Sequence, residues 1–172
     1  MQEPRTPEEV FALHDLARAD PLRFLKIVDE WIQENPRNFR PYFRRHFVWS
    51  DLGEPRRALA DLDKVIELAP SQAAFCARGM TYRQLGEHAN ALADFRSGEA
   101  IDPKEWEGAM ITLLYEAHSH AHLGDETSAL ECWARLPEDL WTPGLDGAPA
   151  GNKAEVAAEL RRIAAEARRK SG

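Results

Sequence analysis

The chain has 172 residues, of which 44% are hydrophobic and 30% are charged, and its formal net charge at pH 7 is −7. This length predicts one domain, and the acidic balance disfavours nucleic-acid binding, which requires an excess of Lys and Arg. Two cysteines, Cys76 and Cys132, form neither a disulfide framework nor a zinc pattern. No stretch approaches the roughly 18 apolar residues of a membrane span, and no signal-peptide pattern opens the chain, so we expect a cytoplasmic protein that does not bind membranes.

Two helices are predicted at the front of the chain. Thr6, with Glu9 three residues later, is the pattern of a capping box, in which each side chain accepts a hydrogen bond from the other residue's backbone N–H. Asp20, followed by proline, has the features of a second helix start. We therefore expect residues 7–36 to form a divergent, terminal member of a repeat array.

Two stretches of nearly the same sequence follow in succession: DLGEPRRALADLDKVIELAP at 51–70 and QLGEHANALADFRSGEAIDP at 84–103. Gly53 and Gly86 each follow an apolar periodic run, where glycine ends a helix by adopting the left-handed conformation at little cost. Apolar residues then recur at spacings of three and four, which defines one face of a second helix. Each unit is therefore predicted to be a helix, a tight turn and a second helix.

The positions of large and small residues in these units follow a known order. Phe75 and Tyr82 lie two helical turns apart, on one helix face. Further along, Ala91 and Phe95 precede Pro103. This order of aromatic, small and proline positions resembles the tetratricopeptide repeat. The resemblance implies an all-α fold: a right-handed α-solenoid of three to four helical hairpins with a C-terminal capping helix.

The resemblance also suggests how the chain is divided. The unit that begins near residue 39 has His46 where the family prefers a small residue, and the last unit is degraded, with a second helix that stops early. After Pro137 a stretch rich in Pro and Gly reads as a loop, and Asn152 with Glu155 starts a final helix that would close the array. We predict a repeat domain at 1–137 containing repeats at about 39–70, 72–103 and 104–137, then a loop at 138–152 and a capping helix at 153–172.

The family register predicts a peptide-binding groove. In this family the first helix of each repeat lines the concave surface, and the inward positions here combine apolar residues with arginines, which bind carboxylates in bidentate fashion. The alternative is that the arginines are solvated or paired with acidic residues while the apolar side chains belong to the core. The predicted groove residues are Arg40, Phe43, Arg44, Phe47, Cys76, Met80, Arg83, Tyr115, His118 and His122.

Other chemistry has weaker support in the sequence. His118 and His122 have the i, i+4 spacing that can bind a metal from one helix face, but no third ligand is visible, so we expect a polar groove wall and no metal. Cys76 has no activating partner that would suggest a nucleophile. Asp61 and Asp94 recur at the repeat period, and we expect both to lie on exposed helix faces.

The sequence therefore predicts a non-enzymatic protein-interaction module without a cofactor. It would bind a protein or peptide partner, for which the arginines favour acidic character, and it would be a monomer or a weak dimer. The alternative is a dedicated small chaperone or inhibitor of a single client protein. The chaperones that hold secretion substrates resemble this chain in size, acidity and repeat count. A metal-dependent enzyme built on the histidines is a third and weaker alternative.

Overall fold

The computed structural model describes residues 3–4, 6–101, 110–144 and 149–172, and in these the chain is almost entirely helical. The prediction of an all-α fold built from helical hairpins is confirmed. The described residues form helices α1 Pro7–Ala19, α2 Pro21–Glu34, α3 Phe39–Asp51, α4 Pro55–Leu68, α5 Gln72–Gln84, α6 His88–Ile101, α7 Met110–His122, α8 Glu126–Ala134 and α9 Lys153–Ser171, and strands β1 Trp141–Pro143 and β2 Ala150–Asn152.

The chain divides into two compact units, Met1–Ala74 and Phe75–Gly172, which we call unit 1 and unit 2. Unit 1 contains α1 to α4, and within it α1 packs on α2, α2 on α3, and α3 on α4. Unit 2 contains α6 to α9, in which α7 packs on α6, α8 and α9. The boundary falls near the start of α5. None of the helices among the described residues is long and apolar enough to cross a membrane.

The helix starts at the front of unit 1 form as the sequence predicts. Thr6 and Glu9 make the reciprocal capping box: the backbone N–H of Glu9 donates to Thr6 Oγ1 at 3.3 Å, and the backbone N–H of Thr6 donates to Glu9 Oε2 at 3.1 Å. Asp20 caps α2 by accepting from the backbone N–H of Arg23. The apolar residues of α1 and α2 then form a small buried core that includes Leu13, Phe24 and Val28.

The turns between paired helices depend on glycine in the left-handed region. Gly53, Gly86 and Gly124 have φ of 72°, 74° and 80° and follow α3, α5 and α7. A side chain is strained at such angles, which explains why glycine recurs at each turn. The helix–turn–helix units predicted at Gly53 and Gly86 are therefore observed, and Gly124 turns the chain in the same way.

Buried residues of complementary size fill the space between paired helices. An ideal Cβ at Gly79 of α5 would lie 2.5 Å from Cε1 of Phe95 of α6, so only glycine allows this ring its position. The equivalent residues in the next hairpin are Ala117 and Trp133, both buried. In the hairpin of α3 and α4 the corresponding residues are His46, 3% exposed, and Leu62, 0% exposed, which are of similar size.

The end of unit 2 agrees with the sequence in its helices and differs in its loop. Helix α8 has nine residues where α4 and α6 have 14, as expected for the degraded repeat. Helix α9 covers α7 and α8 with Val156, Leu160 and Ala164, all at 0% exposure. The stretch predicted as a loop contains the antiparallel pair β1 and β2, a structure that its Pro and Gly content did not indicate. Pro103 and residues 104–109, assigned above to repeat boundaries, lie outside the described residues.

Candidate functional site

Helix α3 carries four of the predicted groove residues on one face. Asn38 begins the helix, since its side-chain oxygen accepts a hydrogen bond from the backbone N–H of Arg40 at 3.1 Å. Phe43 and Phe47 are one helical turn apart and therefore share a face with Arg40 and Arg44. Phe47 is 55% exposed, which leaves much of its ring available to a partner.

These four residues line a cleft of about 560 Å³ within unit 1. The volume falls within the range of about 300–1,000 Å³ that is typical of ligand-binding sites in proteins. Helices α1 and α3 supply most of the lining, and Phe24 of α2 contributes as well. We call this site the α1/α3 cleft, and its lining residues are Val10, Leu13, His14, Ala17, Arg18, Phe24, Phe39, Arg40, Phe43, Arg44, Phe47, Val48 and Asp51.

A buried histidine supports the aromatic part of this cleft. The ring of His46 lies 3.9 Å from that of Phe47 and 4.8 Å from that of Phe43, measured between ring centroids, and the two phenylalanines meet edge to face at 5.6 Å. Burial lowers the pKa of His46 to about 4, so the ring is neutral near pH 7 and packs as an aromatic group. The family comparison singles out His46 as a departure from the small residue, but it does not indicate that His46 supports the cleft.

The charged groups of the cleft are mostly cationic. Arg18, Arg40 and Arg44 line it together with a single carboxylate, that of Asp51, in a chain whose net charge is −7. Within the described part of the chain, none of these three arginines forms an ion pair. Burial lowers the pKa of Arg44, an effect that the neighbouring charge of Glu3 partly offsets. The cleft thus combines an aromatic surface with guanidinium groups that form no ion pair among the described residues, although Arg44 lies near the Glu3 carboxylate.

The remaining predicted groove residues belong to unit 2 and are more enclosed. Arg83 lies over the ring of Tyr115, with its guanidinium carbon 4.1 Å from the ring centroid, and the two residues are 6% and 1% exposed. Met80 is partly buried against the core of unit 2. Cys76 approaches the Thr112 hydroxyl at 3.9 Å, and burial raises the pKa of its thiol, which opposes a role as a nucleophile.

Three histidines of unit 2 lie together beside Arg83. His118 Nδ1 is 3.0 Å from Arg83 Nη1, and His118 Nε2 is 3.2 Å from His122 Nε2. His88, the first residue of α6, stacks on His122 with ring centroids 4.4 Å apart. Burial, strengthened by neighbouring positive charge, lowers the pKa of His118 to about 3 and that of His88 to about 4, so both are neutral at physiological pH.

The hydrogen bond from Arg83 selects one tautomer of His118, which is not the arrangement of a metal-binding histidine. Because an arginine can only donate, Nδ1 of neutral His118 must accept, and its proton lies on Nε2, pointing at His122. Metal-binding histidines show the opposite arrangement, in which the second ring nitrogen donates to an acceptor. No group of three His, Cys, Asp or Glu side chains within the described ranges is positioned to hold a metal ion.

The tetratricopeptide repeat family profile matches residues 73–105, which include nearly all of α5 and all of α6. Residues 73–105 thus form a tetratricopeptide repeat. The fold of the chain is similar to that in the crystal structure of MamA, which also contains these repeats, with a TM-score of 0.61 and 16% sequence identity over 86% of this chain and 88% of that chain. The repeats and the fold together indicate a protein–protein interaction module.

Two consecutive helical hairpins of the chain, α3 with α4 and α5 with α6, each contain a buried ion pair that was not predicted from the sequence. Arg45 binds both carboxylate oxygens of Asp61 at 2.9 and 2.6 Å, and Arg78 binds those of Asp94 at 2.8 and 2.7 Å. The two aspartates are 3% and 4% exposed, so their assignment to exposed faces is wrong. Arg45 also contacts Asp29 of α2, which ties three successive helices together. The signal in the sequence is an arginine that precedes the aspartate by the same spacing in both units.

The third repeat carries a different pair at the same two positions. Glu116 occupies the place of the arginines and Cys132 that of the aspartates, and the thiol donates to Glu116 Oε2 at 3.9 Å. Burial raises the pKa of Glu116 and raises that of Cys132 to about 11. The thiol therefore stays protonated and serves as a donor within the core rather than as a reactive group.

Proposed function

We propose that the chain binds a segment of a partner protein in the α1/α3 cleft and has no catalytic activity. The observation that carries the proposal is the aromatic surface of the exposed Phe47 and the half-buried Phe43, beside arginines that form no ion pair among the described residues. Clustered apolar surface that is open to solvent marks interaction sites. Arginines are well suited to bind carboxylates of such a partner, because their guanidinium groups form bidentate hydrogen bonds.

The partner segment is proposed to combine apolar side chains with acidic groups. Each Å² of apolar surface removed from water contributes about 25 cal/mol, and a hydrogen bond to a charged group contributes about 1.5–3 kcal/mol. Arg44 lies between Phe43 and the exposed Phe47 in the sequence of α3, so one ligand can reach both kinds of group. The predicted groove residues of unit 2 are proposed to have an accessory role, since Arg83 and His118 are largely buried.

The proposal can be tested by site-specific photo-crosslinking in cells of the natural host. A benzoylphenylalanine replaces Phe47, whose exposed ring it resembles, and in a matched control it replaces the exposed Arg56 at the start of α4. We expect covalent adducts with a small set of proteins from position 47 and few or none from position 56. Adding Arg44→Ala to the position 47 variant should reduce the adduct yield about tenfold or more, because a charge-assisted contact is lost.

The outcome also separates an adaptor from a single-client chaperone. Several adduct proteins indicate an adaptor, whereas one stoichiometric protein indicates a chaperone or inhibitor of that client. The proposal fails if position 56 yields the same adducts as position 47, or if Arg44→Ala leaves the yield unchanged while thermal melting shows both proteins to be folded.

A further inference from the structure

Unit 2 shows how a first helix of a repeat in this chain accommodates another helix. The α7 residues Tyr115 and His118, which the repeat register assigns to the binding face, are 1% and 5% exposed. Helix α9 packs on α7, and its Glu159 is close enough to His118 to affect the pKa of that imidazole. Along α9, Val156 and Leu160 lie one turn apart and are fully buried. Tyr115 and His118 both contact Arg83 of α5, and α9, an amphipathic helix whose Glu159 lies near His118, packs on the same helix α7.

The dimensions of the α1/α3 cleft also fit a helix. The lining of α3 runs from Phe39 to Asp51, which is about 18 Å at 1.5 Å per residue, or roughly three helical turns. A volume of about 560 Å³ is in the range of sites that take up several side chains of a ligand. A helix presents residues i, i+3, i+4 and i+7 on one face over about 10 Å. An extended peptide offers fewer side chains to one surface over a comparable length, because its side chains alternate between two faces.

The charges of the cleft select the kind of helix. Three arginines and one aspartate line it, so a basic helix is repelled and an acidic one attracted. Helix α9 of a second copy does not fit this requirement, since it carries six Lys and Arg residues against three Glu residues. An acidic partner helix places carboxylates beside Arg40 and Arg44 when its apolar face lies on Phe43 and Phe47.

We infer that the occupant of the α1/α3 cleft is an acidic amphipathic helix of two to three turns, with large apolar residues at i, i+3 or i+4 and i+7 and carboxylates flanking them. This inference rests on the proposed function, to which it adds the conformation and the charge of the partner. Recognition takes place on side chains of one helix face, as in other complexes in which a helix lies in a groove.

Two displayed peptide libraries test the inference on the full-length protein. One presents random residues on the exposed face of a stable helical scaffold, and the other presents the same number of random residues in linear peptides with a central proline, which prevents a helix. Cleft-specific binders are those that do not bind the Phe47→Ser variant. We expect the helical library to yield such binders, and we expect their sequences to be rich in Asp and Glu beside large apolar residues. Binders from the proline library should be absent or at least tenfold weaker by fluorescence anisotropy.

A charge exchange provides the second arm of the test. Arg44→Glu should weaken the best helical binder about tenfold, and replacing the flanking Glu of that peptide by Lys should restore binding to the variant. The inference is overturned if proline-containing peptides bind the cleft as tightly as helical ones, or if basic helices are preferred by the wild-type protein. Tight binding of proline-containing peptides leaves the proposed function intact. A preference for basic helices also contradicts the acidic partner of the proposed function, and failure of both libraries to yield any cleft-specific binder refutes binding in the cleft altogether.

Discussion

The contact between Gly79 and Phe95 predicts that Gly79→Ala lowers or raises stability according to the residue at position 95. A Cβ at position 79 would lie 2.5 Å from Cε1 and 2.8 Å from Cδ1 of the Phe95 ring, while carbon atoms in favourable contact are about 3.5–4.0 Å apart. The ring must therefore retreat by about 1 Å in Gly79→Ala. Phe95 is only 1% exposed, so its ring has almost no free space to enter.

The size of the effect follows from two opposing contributions. Overpacking a well-filled core costs about 1–3 kcal/mol, and replacing glycine by alanine inside a helix gains about 1 kcal/mol. We expect Gly79→Ala to lower the free energy of unfolding by about 1 kcal/mol in the wild-type background. In Phe95→Leu two of the three ring atoms near the new methyl group, Cε1 and Cζ, are gone. The same Gly79→Ala change should therefore raise the free energy of unfolding by about 0.5–1 kcal/mol.

Urea titrations followed by far-ultraviolet circular dichroism measure all four proteins of this double-mutant cycle. Distant, independent sites are additive within about 0.3–0.5 kcal/mol, so a coupling well above that range is the expected result. If Gly79→Ala changes stability by the same amount and sign with Phe95 and with Leu at position 95, the close approach of the ring does not explain the glycine, and the complementarity of the two residues is refuted.

Two further predictions concern buried charge. The pKa of His118 in the folded protein is about 3, below the ordinary value of about 6.5. Between these values the unfolded chain takes up a proton that the folded chain excludes. The free energy of unfolding should therefore fall as the pH drops from about 6.5 towards 4, by up to about 1.4 kcal/mol per pH unit from this residue. Urea titrations at several pH values should show a flatter dependence for His118→Gln, and an unchanged dependence would contradict this. Arg78→Ala should lower the free energy of unfolding by about 3–5 kcal/mol, because the buried Asp94 loses its cation. The control Arg56→Ala should change it by less than about 0.5 kcal/mol. Both variants can be compared by urea unfolding, and similar losses in the two would contradict the role of the buried pair.

The helices could be predicted from the sequence because their ends are marked by local chemistry. Thr6 with Glu9, and Asn152 with Glu155, form the capping boxes that their spacing predicts, and a glycine such as Gly86 turns the chain after a first helix. These signals act within about one helical turn, so they can be read without knowledge of the partner helix. The short strands β1 and β2 lack such a signal, because each is too short to show a periodicity.

The interior and the candidate cleft were only partly predictable, because their contacts join residues on different helices. Whether Asp61 is buried or exposed depends on Arg45 of the preceding helix, and the repeat period alone does not show that the two side chains meet. The register placed Phe47 on the binding face, which agrees with its exposure, but not His46 beneath it. Tyr115 was assigned to the same kind of face, yet it is buried in a unit where α9 packs on α7.

The size-matched residues between paired helices also bear on how the chain avoids folding into the wrong hairpin. Consecutive repeats share ALAD and the same arginine–aspartate pair, so α3 and α6 carry much of what a hairpin between them requires. Such a chimeric hairpin brings the imidazole of His46 against the ring of Phe95, which is the larger residue of its own pair. The converse hairpin, α5 with α4, sets Gly79 against Leu62 and leaves a void that lacks the favourable contacts of a filled core. Folding fidelity in a chain with nearly identical neighbours thus rests on a few buried volumes that fit only in the correct combination.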